Sequence, residues 1–121
     1  MQWFRKFAVA IAGIAESTRH HGSFRVHLVA SILVVGVAVA LGVEPWRWAV
    51  LLLAITLVWT AELLNTALEE LVRVLHPQTD KRVGRALDAA AGAVLVAAIG
   101  AATVGILTLG PPLWTWIKVA G

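Results

Sequence analysis

Residues 46–75 read WRWAVLLLAITLVWTAELLNTALEELVRVL, without a single proline or glycine. The half from Trp46 to Thr60 is apolar enough for hydrocarbon, and the polarity changes at Glu62. At helical rise the whole stretch would reach about 45 Å, against about 30 Å for the hydrocarbon of a bilayer. It therefore reads as one transmembrane helix whose second half projects into water, with Pro77 as its stop.

Similar segments lie on either side. Residues 26–43, VHLVASILVVGVAVALGV, form a first span closed by Glu44-Pro45, and a third runs from about 80 to 109, ended by Gly110-Pro111-Pro112. Upstream, Phe4, Phe7, Ile11 and Ile14 recur at helical spacing, with Arg5, Lys6 and Glu16 interrupting. That pattern lacks a signal-peptide cleavage site and suits an amphipathic surface helix over about 2–20, anchored by Trp3. The fold class is all-α integral membrane: a single domain, 1–121, of one surface helix and three transmembrane helices.

Composition agrees. The chain is 60% hydrophobic and 14% charged, with a mean hydropathy of +0.83, so it lacks the polar surface to cover a soluble core. It has no cysteine, which excludes disulfide frameworks and thiolate chemistry. Of its ten basic residues, Arg5, Lys6, Arg19 and Arg25 precede the first span. Arg73, Lys81, Arg82 and Arg85 fall between the second and third, leaving only Arg47 and Lys118 on the other side. The positive-inside rule places the larger group, and the N-terminus, on the cytoplasmic side of the membrane and the C-terminus on the other. This asymmetry accounts for the basic pI without a nucleic-acid partner. Trp46, Trp48, Trp114 and Trp116 then form the outer aromatic belt. The alanine-rich run ALDAAAGAVLVAAIGAATVG, residues 86–105, suits close helix approach in lipid and points to an oligomer.

Two carboxylates define the candidate site. Glu62 lies fourteen residues beyond Trp48, about 21 Å deeper and near the inner edge of the hydrocarbon, with Glu69 about 10 Å further on. A seven-residue separation puts both on one helix face, with Asn65 and Thr66 in the same stripe. Ionisable groups at membrane depth are costly and mark function. Glu62 suits a general base toward a hydroxyl. Glu69, with the Asn65 amide and Asp88 at the start of the third span, suits Mg²⁺, a hard cation that prefers oxygen and is often shared with phosphates. Arg82 and Arg85 are placed to face a polyphosphate or lipid headgroups. His27, at the start of the first span, reads as an interfacial side chain.

The motif ELLNTALEE with the later DAAAGAV, and FRVH after a basic amphipathic helix, resembles the prokaryotic diacylglycerol kinase and undecaprenol kinase family. The likeness covers nearly the whole chain. It implies a homotrimer in which neighbouring subunits share each site. It also implies transfer of the ATP γ-phosphate, with Mg²⁺, to the hydroxyl of a membrane lipid, diacylglycerol or undecaprenol, at the cytoplasmic face. Residue by residue, it implies Glu62 as catalytic base, Glu69 as metal ligand, and Asn65, Glu69, Asp80 and Asp88 around the nucleotide.

Three positions depart from the family pattern. His21 stands where a second metal-binding Glu is usual, and imidazole favours Mn²⁺ over Mg²⁺. Arg73 replaces an Asp, and Leu87 replaces a Lys that would meet phosphate. Arg73, one turn after Glu69, is expected to pair with it at i,i+4 and to turn to the nucleotide phosphates in the missing lysine's place. The departures leave a second reading open, a catalytically weak or inactive homologue serving as a membrane assembly or nucleotide-binding protein. A third, an ion channel with a ring of Glu62, is not required by the basic cytoplasmic loop.

Overall fold

Four helices account for almost the whole chain: α1 (Gln2–His20), α2 (Gly22–Leu41), α3 (Pro45–Leu75) and α4 (Lys81–Ala120). The computed structural model describes residues 2–76, 78 and 80–121, with only the backbone of His20, and no strand occurs among them. Pro77, the expected stop of α3, lies outside the described residues. Three of the helices, α2, α3 and α4, are long and apolar enough to cross a membrane.

The connections follow from local chemistry. A single extended residue, His21, separates α1 from α2, and its N–H still reaches the Ser17 carbonyl at 3.0 Å. At the other end of α2, Gly42 adopts φ 58°, ψ 47°, and its N–H and that of Val43 close on Val39 and Ala38. The left-handed position suits glycine, which has no Cβ to clash. Pro45 then opens α3, where a missing N–H costs nothing. The Asp80 Oδ1 caps α4 by accepting the N–H groups of Arg82 (2.8 Å) and Val83 (3.4 Å).

The buried residues of α3 are Leu51, Ala54, Val58, Glu62, Asn65 and Thr66. They recur three and four apart, so a single stripe faces the other helices, apolar in its first half and polar in its second. Near the α2–α3 turn, Ala38, Leu51 and Leu109 pack with Val34, Val43, Trp48 and Val104. At the opposite end Phe24, fully buried, meets Trp59 edge-on at 5.6 Å. Trp3, Phe4, Phe7 and Ile11 of α1 are exposed.

The expected break at Gly110-Pro111-Pro112 does not occur: α4 continues through both prolines to Ala120. Proline 112 cannot donate to the carbonyl four residues back, that of Thr108. Instead the Arg47 guanidinium, from the start of α3, donates to the Thr108 oxygen at 2.6 Å. Arg47 is held in place by the Trp46 ring, 4.5 Å from its guanidinium carbon, and by the Glu44 carboxylate at 3.6 Å. A donor from another helix thus substitutes for the missing backbone N–H.

This repair can be tested with a double-mutant cycle. Arg47→Met should lower stability in detergent by about 1–3 kcal/mol, the cost of an unmet buried acceptor. In a Pro112→Ala background, where the backbone N–H returns, the same substitution should cost far less. Equal losses in the two backgrounds, read from thermal midpoints, would show that Arg47 does not complete α4.

Candidate active site

The site is assembled on the polar half of the α3 stripe. Glu62 is only 3% exposed, and burying an ionised carboxylate is costly unless hydrogen bonds compensate. Helix α2 supplies them. The Ser23 hydroxyl donates to Glu62 Oε1 at 2.6 Å, and His27 Nε2 lies 3.2 Å from Oε2. Ser23 and His27 are four residues apart and so project from the same face. One turn on, Trp59 Nε1 donates to Ser31 Oγ at 3.1 Å, and that hydroxyl donates to the His27 carbonyl at 2.7 Å.

Further along α3 the polar groups satisfy one another within the helix. Asn65 Nδ2 donates to Glu69 Oε1 at 3.1 Å, while the buried Asn65 Oδ1 has no hydrogen-bond partner. Glu69 itself is half-buried. One carboxylate and one unengaged amide oxygen therefore lie a turn apart, a set of hard donors. Among the described residues no group of three or more His, Cys, Asp or Glu is close enough to enclose a metal ion. A partial oxygen set suits Mg²⁺, which keeps waters and takes substrate phosphates as further ligands.

The remaining sequence candidates are dispersed. Arg73 Nη1 donates to Glu70 Oε1 at 2.8 Å, both residues being exposed, so the expected pairing with Glu69 is not made. Spacings of three and four are both open to such a pair, and Glu69 is already engaged by Asn65. His21 likewise approaches Glu70, at 3.7 Å, rather than Glu69. Asp80 spends one oxygen on capping α4, and its other lies 3.9 Å from His76 Nε2. Asp88 is exposed and makes no ion pair or hydrogen bond among the described residues, Glu69 included.

Ser23 and His27 are site residues that sequence reading missed. The available signal was the line Ser23, His27, Ser31 at four-residue intervals along a helix whose other residues, Arg25 apart, are apolar or glycine, a polar stripe that lipid would disfavour. His27 is not merely interfacial: its ring is directed at the buried carboxylate.

Comparison with known proteins shows the family of the chain. The family model for prokaryotic diacylglycerol kinase matches residues 8–109. A diacylglycerol kinase of Synechocystis sp. is 42% identical over 108 residues, covering 88% of this chain. An undecaprenol kinase of Bacillus subtilis is 34% identical over 114 residues, covering 93% of this chain. The chain spans 62% of the length of the Synechocystis protein and 91% of that of the Bacillus protein. With the match extending from α1 through most of α4, the chain belongs to the prokaryotic diacylglycerol kinase family.

Proposed function

We propose that the protein is a lipid kinase that transfers the γ-phosphate of ATP to the hydroxyl of a membrane lipid, diacylglycerol or undecaprenol. The observation that carries this reading is the Glu62 carboxylate, 3% exposed and held by two donors from α2. Membership of a family whose two relatives named above are both lipid kinases supports it. A cleft of about 680 Å³ between α2, α3 and α4 adds to the support, being lined mainly by Val, Ala, Leu and Ile. His27, which touches Glu62, also lines that cleft. An acyl or prenyl chain lying there would bring a headgroup hydroxyl toward the carboxylate.

In this mechanism the acceptor hydroxyl hydrogen-bonds to a free lone pair of Glu62. As its oxygen bonds to the γ-phosphorus, Glu62 takes the proton and ADP leaves with the electrons of the broken P–O bond. Glu69 and Asn65 would hold Mg²⁺, which when bound neutralises negative charge on the phosphates. Asp80 and Asp88, at the start of α4, would lie toward the nucleotide, and Arg73 could leave the exposed Glu70 for a phosphate at little cost. His21 is a weaker candidate for metal, being nearer Glu70 than Glu69.

The assembly we propose is a homotrimer in the bacterial inner membrane, with α1 on the cytoplasmic surface and the C-terminus outside. Its support is that α4 buries only Thr108 and Leu109 within one chain. A Cβ added at Gly92 or Gly100 would meet nothing within 4 Å, so α4 has room beside these glycines for another subunit.

The direct test is incubation of the purified protein in mixed micelles with radiolabelled ATP, Mg²⁺ and either lipid alcohol. Label should enter one of the two lipids; label in neither would leave the weak-homologue reading standing instead. Glu62→Gln should lower turnover by about 10²–10⁴-fold, since the amide cannot accept the proton, while size-exclusion behaviour stays that of the parent. Turnover within a few-fold of the parent would remove Glu62 as the base. For Glu69→Gln the expected change is a higher Mg²⁺ concentration at half-maximal rate, and an unmoved metal titration would count against a ligand role.

A further inference from the structure

We infer that His27 is a positioning residue for Glu62, assisted by Ser23, so that α2 holds the catalytic carboxylate of α3 ready for the acceptor hydroxyl; this rests on the lipid-kinase reading. Each oxygen of Glu62 has one partner from α2, Ser23 on Oε1 and His27 on Oε2. An ionised carboxylate offers about four lone-pair sites. Two donors therefore fix its plane and still leave a lone pair on each oxygen for a substrate.

The imidazole is itself constrained. Its side chain is 18% exposed. The residue lies between the Phe24–Trp59 ring contact and the Trp59–Ser31 hydrogen bond, both of which tie α2 to α3. Ser31 Oγ also bonds the His27 backbone carbonyl. Since Nε2 faces the carboxylate, His27 donates as the Nε2–H tautomer and equally as the imidazolium. Its role is thus to hold Glu62 rather than to exchange a proton with substrate. Without it, a glutamate with three side-chain torsions would be fixed on one oxygen only, and could rotate away from the acceptor.

A role in orientation predicts a particular kinetic pattern. His27→Leu should reduce kcat by about 10²-fold, the scale of a misplaced reacting group, with the KM values for ATP and lipid within about two-fold of the parent. His27→Gln, whose side-chain N–H can occupy nearly the position of Nε2, should recover most of that loss. Ser23→Ala should lower kcat less, again without moving either KM. The contact itself can be read without turnover from ¹⁵N-histidine NMR of the detergent-solubilised protein. The His27 Nε2 resonance, identified by its loss in His27→Gln, should shift in Glu62→Leu and stay in place in Glu69→Gln. In an active parent, an unchanged kcat in His27→Leu overturns the inference, and so does an equal loss in His27→Gln. Should the leucine variant fail to fold, an Nε2 resonance indifferent to Glu62→Leu overturns it as well. A parent that phosphorylates neither lipid overturns the lipid-kinase reading, and the inference with it.

Discussion

Burying the charge of Glu62 between helices sets the geometry of the bundle. A carboxylate with 3% exposure would cost several kcal/mol if left without partners, and Asn65, a turn further along α3, gives its amide N–H to Glu69 instead. The donors come from α2, and accepting them fixes how α2 lies along α3. His27 sits opposite Glu62, Ser31 opposite Trp59, and Ala38 beside Leu51. Each step forward on α2 is a step back on α3, as antiparallel neighbours require. In hydrocarbon apolar side chains are nearly indifferent to which neighbour they face, so polar ties of this kind have more influence on register than they would in water.

A second tie works at the far end. Arg47 of α3 reaches a carbonyl of α4 that Pro112 leaves without its helical donor. Between the two ends the packing is loose. The cleft among α2, α3 and α4 is bordered by Ala54, Ala98, Ala101, Ala102 and Gly105. Small residues along α4 thus leave space inside the chain rather than closing it. A bundle pinned at both ends and open between them can admit an apolar chain without breaking the contacts that set its register.

The sequence made the spans and the exceptional status of Glu62 legible, because each rests on a large local energy. Thirty residues without a breaker define α3, and a carboxylate beside so apolar a run has few explanations. What was not legible depended on partners distant in the chain. The proline pair reads as a helix end by every local rule, and the residue that overrides it, Arg47, lies 61 positions before the Thr108 carbonyl that it meets. Ser23 and His27 stand out in sequence only as part of a polar line with Ser31, and that line does not say which neighbour its face will meet. The error over Arg73 was of a different kind. On a helix, Glu69 and Glu70 are both within its reach, and the pair forms with Glu70, the more exposed of the two, while Glu69 accepts from Asn65. Asp80 did carry a local signal: an Asp immediately before Lys81-Arg82 at a helix start is an N-cap, a use that competes with nucleotide contact for the same oxygens.

The two halves of the polar stripe differ in how they are held, and on the lipid-kinase reading that difference has a use. Glu62 is fixed by another helix, whereas Asn65 and Glu69 are joined only to each other, with Asn65 Oδ1 left unengaged. A base must be oriented before its substrate arrives, because its angular error enters the rate directly. Groups that receive a hydrated cation and a flexible polyphosphate gain less from rigidity, since waters and phosphate oxygens complete the coordination. Holding the lipid-side carboxylate between helices and leaving the water-side pair incomplete therefore spends the order where it affects the reaction. On the same reading, the nucleotide half would be finished by Asp80 and Asp88 at the start of α4 or, in the trimer proposed above, by residues of a neighbouring subunit.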